Sequence, residues 1–193
     1  MSERFDARRF EELILLVARR CERDSTFGAT KLNKLLFFAD FAAYRKLGRS
    51  LTGADYQKLE HGPAPKQLLP TREALLERGD LFPITRDYFG KEQKRLIAGR
   101  EPDVSGFSGE EIALVDEIID SLRDLDAAAV TQLSHTFIGW RAVEYGDVIP
   151  YETAKVQPEL LTEDDRNATR TLKVLDWNKT AGWPRIPMNA SLQ

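Results

Sequence analysis

Two histidines and a single cysteine are the obvious reactive groups of this 193-residue chain, and their spacing argues against chemistry. Neither His61 nor His135 lies in a close His/Cys/Asp/Glu cluster with metal-ligand spacing. Ser134 and His135 are adjacent, which does not set a nucleophile facing its base on one element, and no nucleophile elbow is present. The chain lacks a phosphate loop and the glycine fingerprint of a dinucleotide site. Carboxylates are plentiful, yet abundance does not shift a pKa. Cys21 stands alone, so an internal disulfide is excluded, and beside Ala18 it reads as a buried or half-buried thiol. No catalytic residue, cofactor or metal is therefore expected, and the polar groups point to recognition.

The run Lys31-Leu-Asn-Lys-Leu-Leu-Phe-Phe-Ala-Asp40 is the most informative stretch. Leu32, Leu35, Leu36, Ala39 and Ala43 form an apolar helical stripe, while Phe37, Phe38 and Phe41 leave it and require a second buried face. Asp40 beside those rings would be desolvated at high cost unless it met a cation or several donors. Tyr44, four residues on, shares its face and is the expected donor, whereas Lys34 is six residues earlier and off the one-turn spacing. Asp40 then serves either a network that anchors the helix or a polar spot facing a partner. Asn33 and Lys34 carry the same two readings. His61-Gly62-Pro63-Ala64-Pro65 reads as a rigid turn over this helix or as a preformed recognition loop, with Tyr56 beneath it. In Leu133-Ser-His-Thr-Phe-Ile-Gly-Trp140, Phe137 and Trp140 suit core closure. His135 suits a backbone or carboxylate partner there.

The elements that must position these residues follow from periodicity. Phe10, Leu13, Ile14, Val17 and Cys21 predict a first helix from an Asp6 N-cap to about Arg20. The second is predicted from a Thr30 cap to Lys46 or Leu47, stopping at Gly48. Ala54 to Glu60 reads as a short strand or one helical turn. A third helix is expected over Lys66–Arg78, interrupted or restarted at Pro70. Leu81–Asp87 and Lys91–Ala98 alternate weakly around a turn and predict a hairpin. Ser108-Gly-Glu-Glu111 is a capping box for a helix through Ile112, Val115, Ile118, Ile119 and Leu122. A shorter helix near Ala127–Leu133 follows, and Thr162 caps a last one over Glu163–Trp177. The fold class is mainly α, a compact multi-helix domain with a small β-hairpin or short antiparallel sheet.

A hydrophobic fraction of 42% with 31% charged residues describes one ordinary globular core. Residues 1–158 are expected to form the helical domain, and 159–193 a C-terminal helical extension and tail of the same unit. No apolar run reaches the ~20 residues of a bilayer span. The charged N-terminus lacks a signal core, which makes the cytoplasm the expected location. The net charge of −3 gives no global attraction to nucleic acid. Basic residues nevertheless gather before Lys34, and Glu101–Asp126 is acidic, with Arg123 its only base.

Three stretches together resemble the Panacea domain of SocA-like antitoxins, formerly a domain of unknown function. They are Thr30–Tyr44, Gly48-Arg-Ser-Leu-Thr-Gly53 and Tyr56-Gln-Lys-Leu-Glu-His-Gly-Pro-Ala-Pro65. Phe107-Ser-Gly-Glu-Glu111 and Leu133–Trp140 match in the expected order, so the resemblance covers about residues 8–155. It implies a compact, mainly helical domain with a small β element, from a prokaryotic or phage toxin–antitoxin pair. It also implies neutralisation of a cognate toxin by direct protein binding, with no catalytic site. An adaptor that delivers a client to an ATP-dependent protease and a DNA-binding regulator are the alternatives. Where relatives often carry an acidic and a small residue before the tryptophan, this chain has Phe137-Ile-Gly139, a departure that bears on partner specificity.

Overall fold

The apolar repeats of the first fifty residues fold as two helices, and later elements enclose the second. The computed structural model describes residues 3–88 and 90–156. Helix α1 (Ala7–Arg20) begins where the Asp6 side chain accepts the Arg9 backbone N–H at 3.0 Å, and it buries Phe10 and the run from Leu13 to Ala18. Helix α2 (Ala29–Leu47) is buried on most of its circumference up to Ala43 and stops at Gly48 in the left-handed region, φ 80°. Its N-cap is Gly28, not Thr30, and it makes no side-chain cap bond. A Cβ at Gly28 would lie 3.3 Å from the Lys94 carbonyl oxygen, so close approach of another segment favours glycine there and puts Thr30 inside the helix.

The segment after α2 is extended. Strands β1 (Tyr56–Gln57) and β2 (Ala64–Pro65) pair antiparallel, Tyr56 opposite Pro65 and Gln57 opposite Ala64. Residues 58–63 form the turn between them, with Gly62 at φ 87°. On the outer side of β1, the Ile149 N–H donates to the Tyr56 carbonyl at 2.7 Å and the Lys58 N–H to Asp147 at 2.9 Å. Helix α3 (Leu68–Glu77) runs through Pro70 without a break. Pro70 is its third residue, where the backbone N–H has no intrahelical acceptor in any case. Strands β3 (Leu81–Tyr88) and β4 (Lys91–Ala98) form the predicted hairpin, Leu81 opposite Ala98.

Helix α4 (Gly109–Leu122) carries the predicted capping box: the Ser108 hydroxyl accepts from Glu111 N–H at 3.2 Å, and Glu111 Oε2 accepts from Ser108 N–H at 2.8 Å. Glu111 is also buried against Arg9 Nη2 of α1 at 3.0 Å, which ties the two helices together. Helix α5 (Ala127–His135) is capped by the Asp126 carboxylate, extends past the expected Leu133, and is followed by α6 (Ile138–Ala142). A 3₁₀ turn spans Tyr151–Lys155. The architecture is a compact, mainly helical domain with two small antiparallel two-stranded sheets. Helix α2 touches α1, α4, α5, β2 and the 151–155 turn. At its centre the Phe37 ring lies 4.5 Å from Phe41, 5.5 Å from Tyr56 and 5.1 Å from Phe137, centroid to centroid. The expected helix over Glu163–Trp177 and the 159–193 extension fall outside the described residues.

Candidate functional site

Asp40 is fully buried, and its donors come from the chain that crosses behind α2. Oδ1 accepts the Thr52 backbone N–H at 2.8 Å, while Oδ2 accepts the Thr52 hydroxyl and the Tyr56 hydroxyl, each at 2.6 Å. Burial raises the carboxyl to about 6, and the hydrogen bonds from Thr52 and Tyr56 oppose that rise. Tyr44 is not the donor expected from helix spacing. Its ring instead stacks on Tyr151 at 5.5 Å, with Lys155 Nζ 4.4 Å above it. Thr52 and Tyr56 occupy the Asp40 oxygens because the Leu51–Tyr56 segment is pressed against the same face of α2. Tyr56 lies wholly in the core, facing Asp40 and the phenylalanines, with its backbone paired opposite Pro65.

A second polar cluster fixes the β1–β2 turn. Lys34, 2% exposed, donates from Nζ to the Pro63 carbonyl at 2.9 Å. Burial lowers its ammonium to about 8. Gly62 lies against this amine and against the buried Ser134: a Cβ at position 62 would sit 2.9 Å from Lys34 Nζ and overlap Ser134 Oγ. The Ser134 hydroxyl itself donates to the Thr131 carbonyl at 2.7 Å. Three separated parts of the sequence, Lys34, Gly62-Pro63 and Ser134, thus meet at one point. Asn33 sits half-buried one residue before Lys34, and His61 is exposed at the crest of the turn.

Beside that crest the His135 and Trp140 rings stack, 4.1 Å between centroids and 14° between planes. Lys58 Nζ lies 4.7 Å over the Trp140 ring and donates to the Val143 carbonyl at 2.8 Å. His135 bonds the Glu60 backbone, as its sequence context suggested. Burial, with the charges of Lys34, His61 and Lys58, holds its pKa down. His135 Nε2 and the Trp140 indole N–H are buried without a hydrogen-bond partner. Gly139 packs tightly under the following chain, since a Cβ there would lie 2.8 Å from Ile149 Cγ2 and collide with Thr153.

Nine of the eleven residues singled out from sequence fall into three neighbouring groups: Asp40 with Tyr56; Lys34 with Gly62, Pro63 and Ser134; His61 with His135 and Trp140; Asn33 only flanks Lys34 in sequence. Tyr44 stands apart with Tyr151. Thr52, Lys58 and Tyr151 are the partners that sequence reasoning missed. Thr52 and Lys58 lie inside recognisable stretches but carry no helix-period signal. Tyr151 follows Pro150 in a segment with no periodicity.

Among the described residues no three or more His, Cys, Asp or Glu side chains gather where they could hold a metal ion, and no helix is long and apolar enough to cross a membrane. No curated protein and no solved structure matches the chain. The description "Antitoxin SocA-like, Panacea domain" matches residues 32–141, more than half of the 193 residues, from the second turn of α2 to α6. That span contains Lys34, the Asp40–Tyr56 pair, the Gly62 turn and the His135–Trp140 stack: the chain belongs to the SocA-like Panacea antitoxin family.

Proposed function

We propose that this protein is a cytoplasmic antitoxin that neutralises a cognate toxin by direct, stoichiometric binding, through the face formed by the 58–63 turn and α5–α6. Membership in an antitoxin family accords with a protein–protein interaction role. The observation that carries the choice of face is the pinning of an exposed turn by a buried lysine: Lys34 and Ser134 hold Gly62 and Pro63 from below. A turn ordered before contact loses little entropy on binding, and the neighbouring aromatic stack supplies a desolvated anchor. Stable inhibition would bury ~1,200–2,000 Å² in total, feasible for a domain of this size.

The test is co-expression with the product of the adjacent gene. Substitution of the exposed His61 should abolish rescue and complex formation while the thermal unfolding midpoint stays near that of the parent. Parallel loss of folded protein and rescue would defeat the contact assignment. Toxin level separates the mechanisms: a toxin that persists in an inert complex supports occlusion, and one that disappears only when an ATP-dependent protease is present supports delivery.

A further inference from the structure

The surface beside the turn carries an imbalance of charge. His135 lies in the field of three cationic or ionisable bases, Lys34, His61 and Lys58. Among the described residues, the partner of buried Lys34 is a carbonyl oxygen, that of Pro63, and no carboxylate pairs with it. Lys58 spends one of its three donors on Val143 and leans over the Trp140 face. Glu60, in the same turn, meets His135 through its backbone. The buried Lys31 is treated differently, since its Nζ is matched by Asp24 at 2.7 Å. These bases converge on an aromatic stack whose Trp140 N–H and His135 Nε2 have no hydrogen-bond partner among the described residues.

We propose that the His135–Trp140 stack, flanked by Lys58 and His61 and underlain by Lys34, receives carboxylates from an acidic segment of the protein partner. The inference rests on the binding face proposed above and names the chemistry of what docks there. A carboxylate beside the stack accepts hydrogen bonds from Lys58 and His61. Lys34 contributes its charge from beneath the turn without touching the ligand. Acidic side chains are favoured over nucleic acid because a few cations on a protein of net charge −3 supply no long-range attraction for a polyanion.

The experiment follows the Trp140 indole and the His61 and His135 imidazole signals of the full chain by NMR during titration with a polyglutamate peptide. The expected result is saturable shifts at all three rings, weakened about threefold by Lys58→Gln and abolished by high salt. His61→Gln, on an exposed residue, provides a second variant that leaves the fold intact. Absence of shifts, or shifts indifferent to both substitutions, overturns the proposal. So does a single-stranded oligonucleotide that displaces the peptide at physiological salt. If the peptide binds at the stack but toxin rescue is unaffected by Lys58→Gln, the carboxylate site stands and the toxin-binding face falls. If rescue maps to this face but the peptide does not bind, the carboxylate inference alone falls.

Discussion

The Tyr56 hydroxyl donates to the Asp40 carboxylate at 2.6 Å, so the first strand after α2 is pinned to the middle of that helix through a buried polar bond. Thr52 adds two more donors to the same carboxylate. The bonds fix where the chain leaves α2 and hence where the 58–63 turn lies over Lys34. The candidate recognition surface depends on a network it does not expose.

Asp40 makes that network sensitive to pH. Its carboxyl is raised to about 6 from 3.8, so between those values the folded state keeps a proton that the unfolded chain has released. The stability this group contributes is therefore greatest at acid pH and falls as pH rises through the window, by about 3 kcal/mol in all. Asp40→Asn removes this component. Urea unfolding of both proteins across the window reads it: the parent's advantage over the variant should shrink as pH rises, and a constant difference contradicts the assignment.

Lys34 has the complementary signature. Its ammonium is lowered to about 8 from 10.5, so the folded protein releases this proton before the unfolded chain does. The burial penalty is fully present at neutral pH and is relieved as pH rises through about 8, giving a gain of up to ~3 kcal/mol by the unfolded value. Lys34→Met should flatten the rise, seen by comparing denaturant midpoints on the alkaline side. Parallel curves would show that the amine does not titrate there.

Two glycines share a left-handed backbone and differ in space. Gly48, φ 80°, has nothing within 4 Å of an added Cβ, and Gly48→Ala should cost about 1 kcal/mol from backbone strain alone. Gly62, φ 87°, faces Lys34 and Ser134, and Gly62→Ala should cost a further ~1–3 kcal/mol from overpacking. Thermal unfolding ranks them. Equal losses would mean that the turn has room to lift away from α2.

Cys21 should be inert in the folded protein. It is 1% exposed, and burial, reinforced by Asp24, pushes the thiol up to about 12. Thiol reagents at neutral pH should label it only on unfolding. Rapid labelling of the native protein would place the thiol at the surface.

Local signals read true where the physics is local. The Asp6 cap, the Ser108–Glu111 box and the Gly48 stop each involve residues within one helical turn, and each forms as the sequence predicts. The hairpin of β3 and β4 was legible from alternation about a tight turn. The Thr30 cap failed because Gly28 is set by a distant backbone, Lys94, which no local pattern reports. Pro70 misled because its meaning depends on helix position, and the third residue tolerates it.

The residues of the candidate site were visible in the sequence because polar groups embedded in apolar runs demand partners. Which partners they take was decided by tertiary structure. Helix spacing offered Tyr44 to Asp40, but the returning chain supplied Thr52 and Tyr56. Lys34 found Pro63 and Gly62 found Ser134, pairs too distant in sequence for any periodicity to link them. Composition and period determined the helices and their buried faces, since burial of a stripe is a property of one segment. The meeting of turn, lysine and aromatic stack arose only when those faces packed on α2, because a contact between segments belongs to neither one alone.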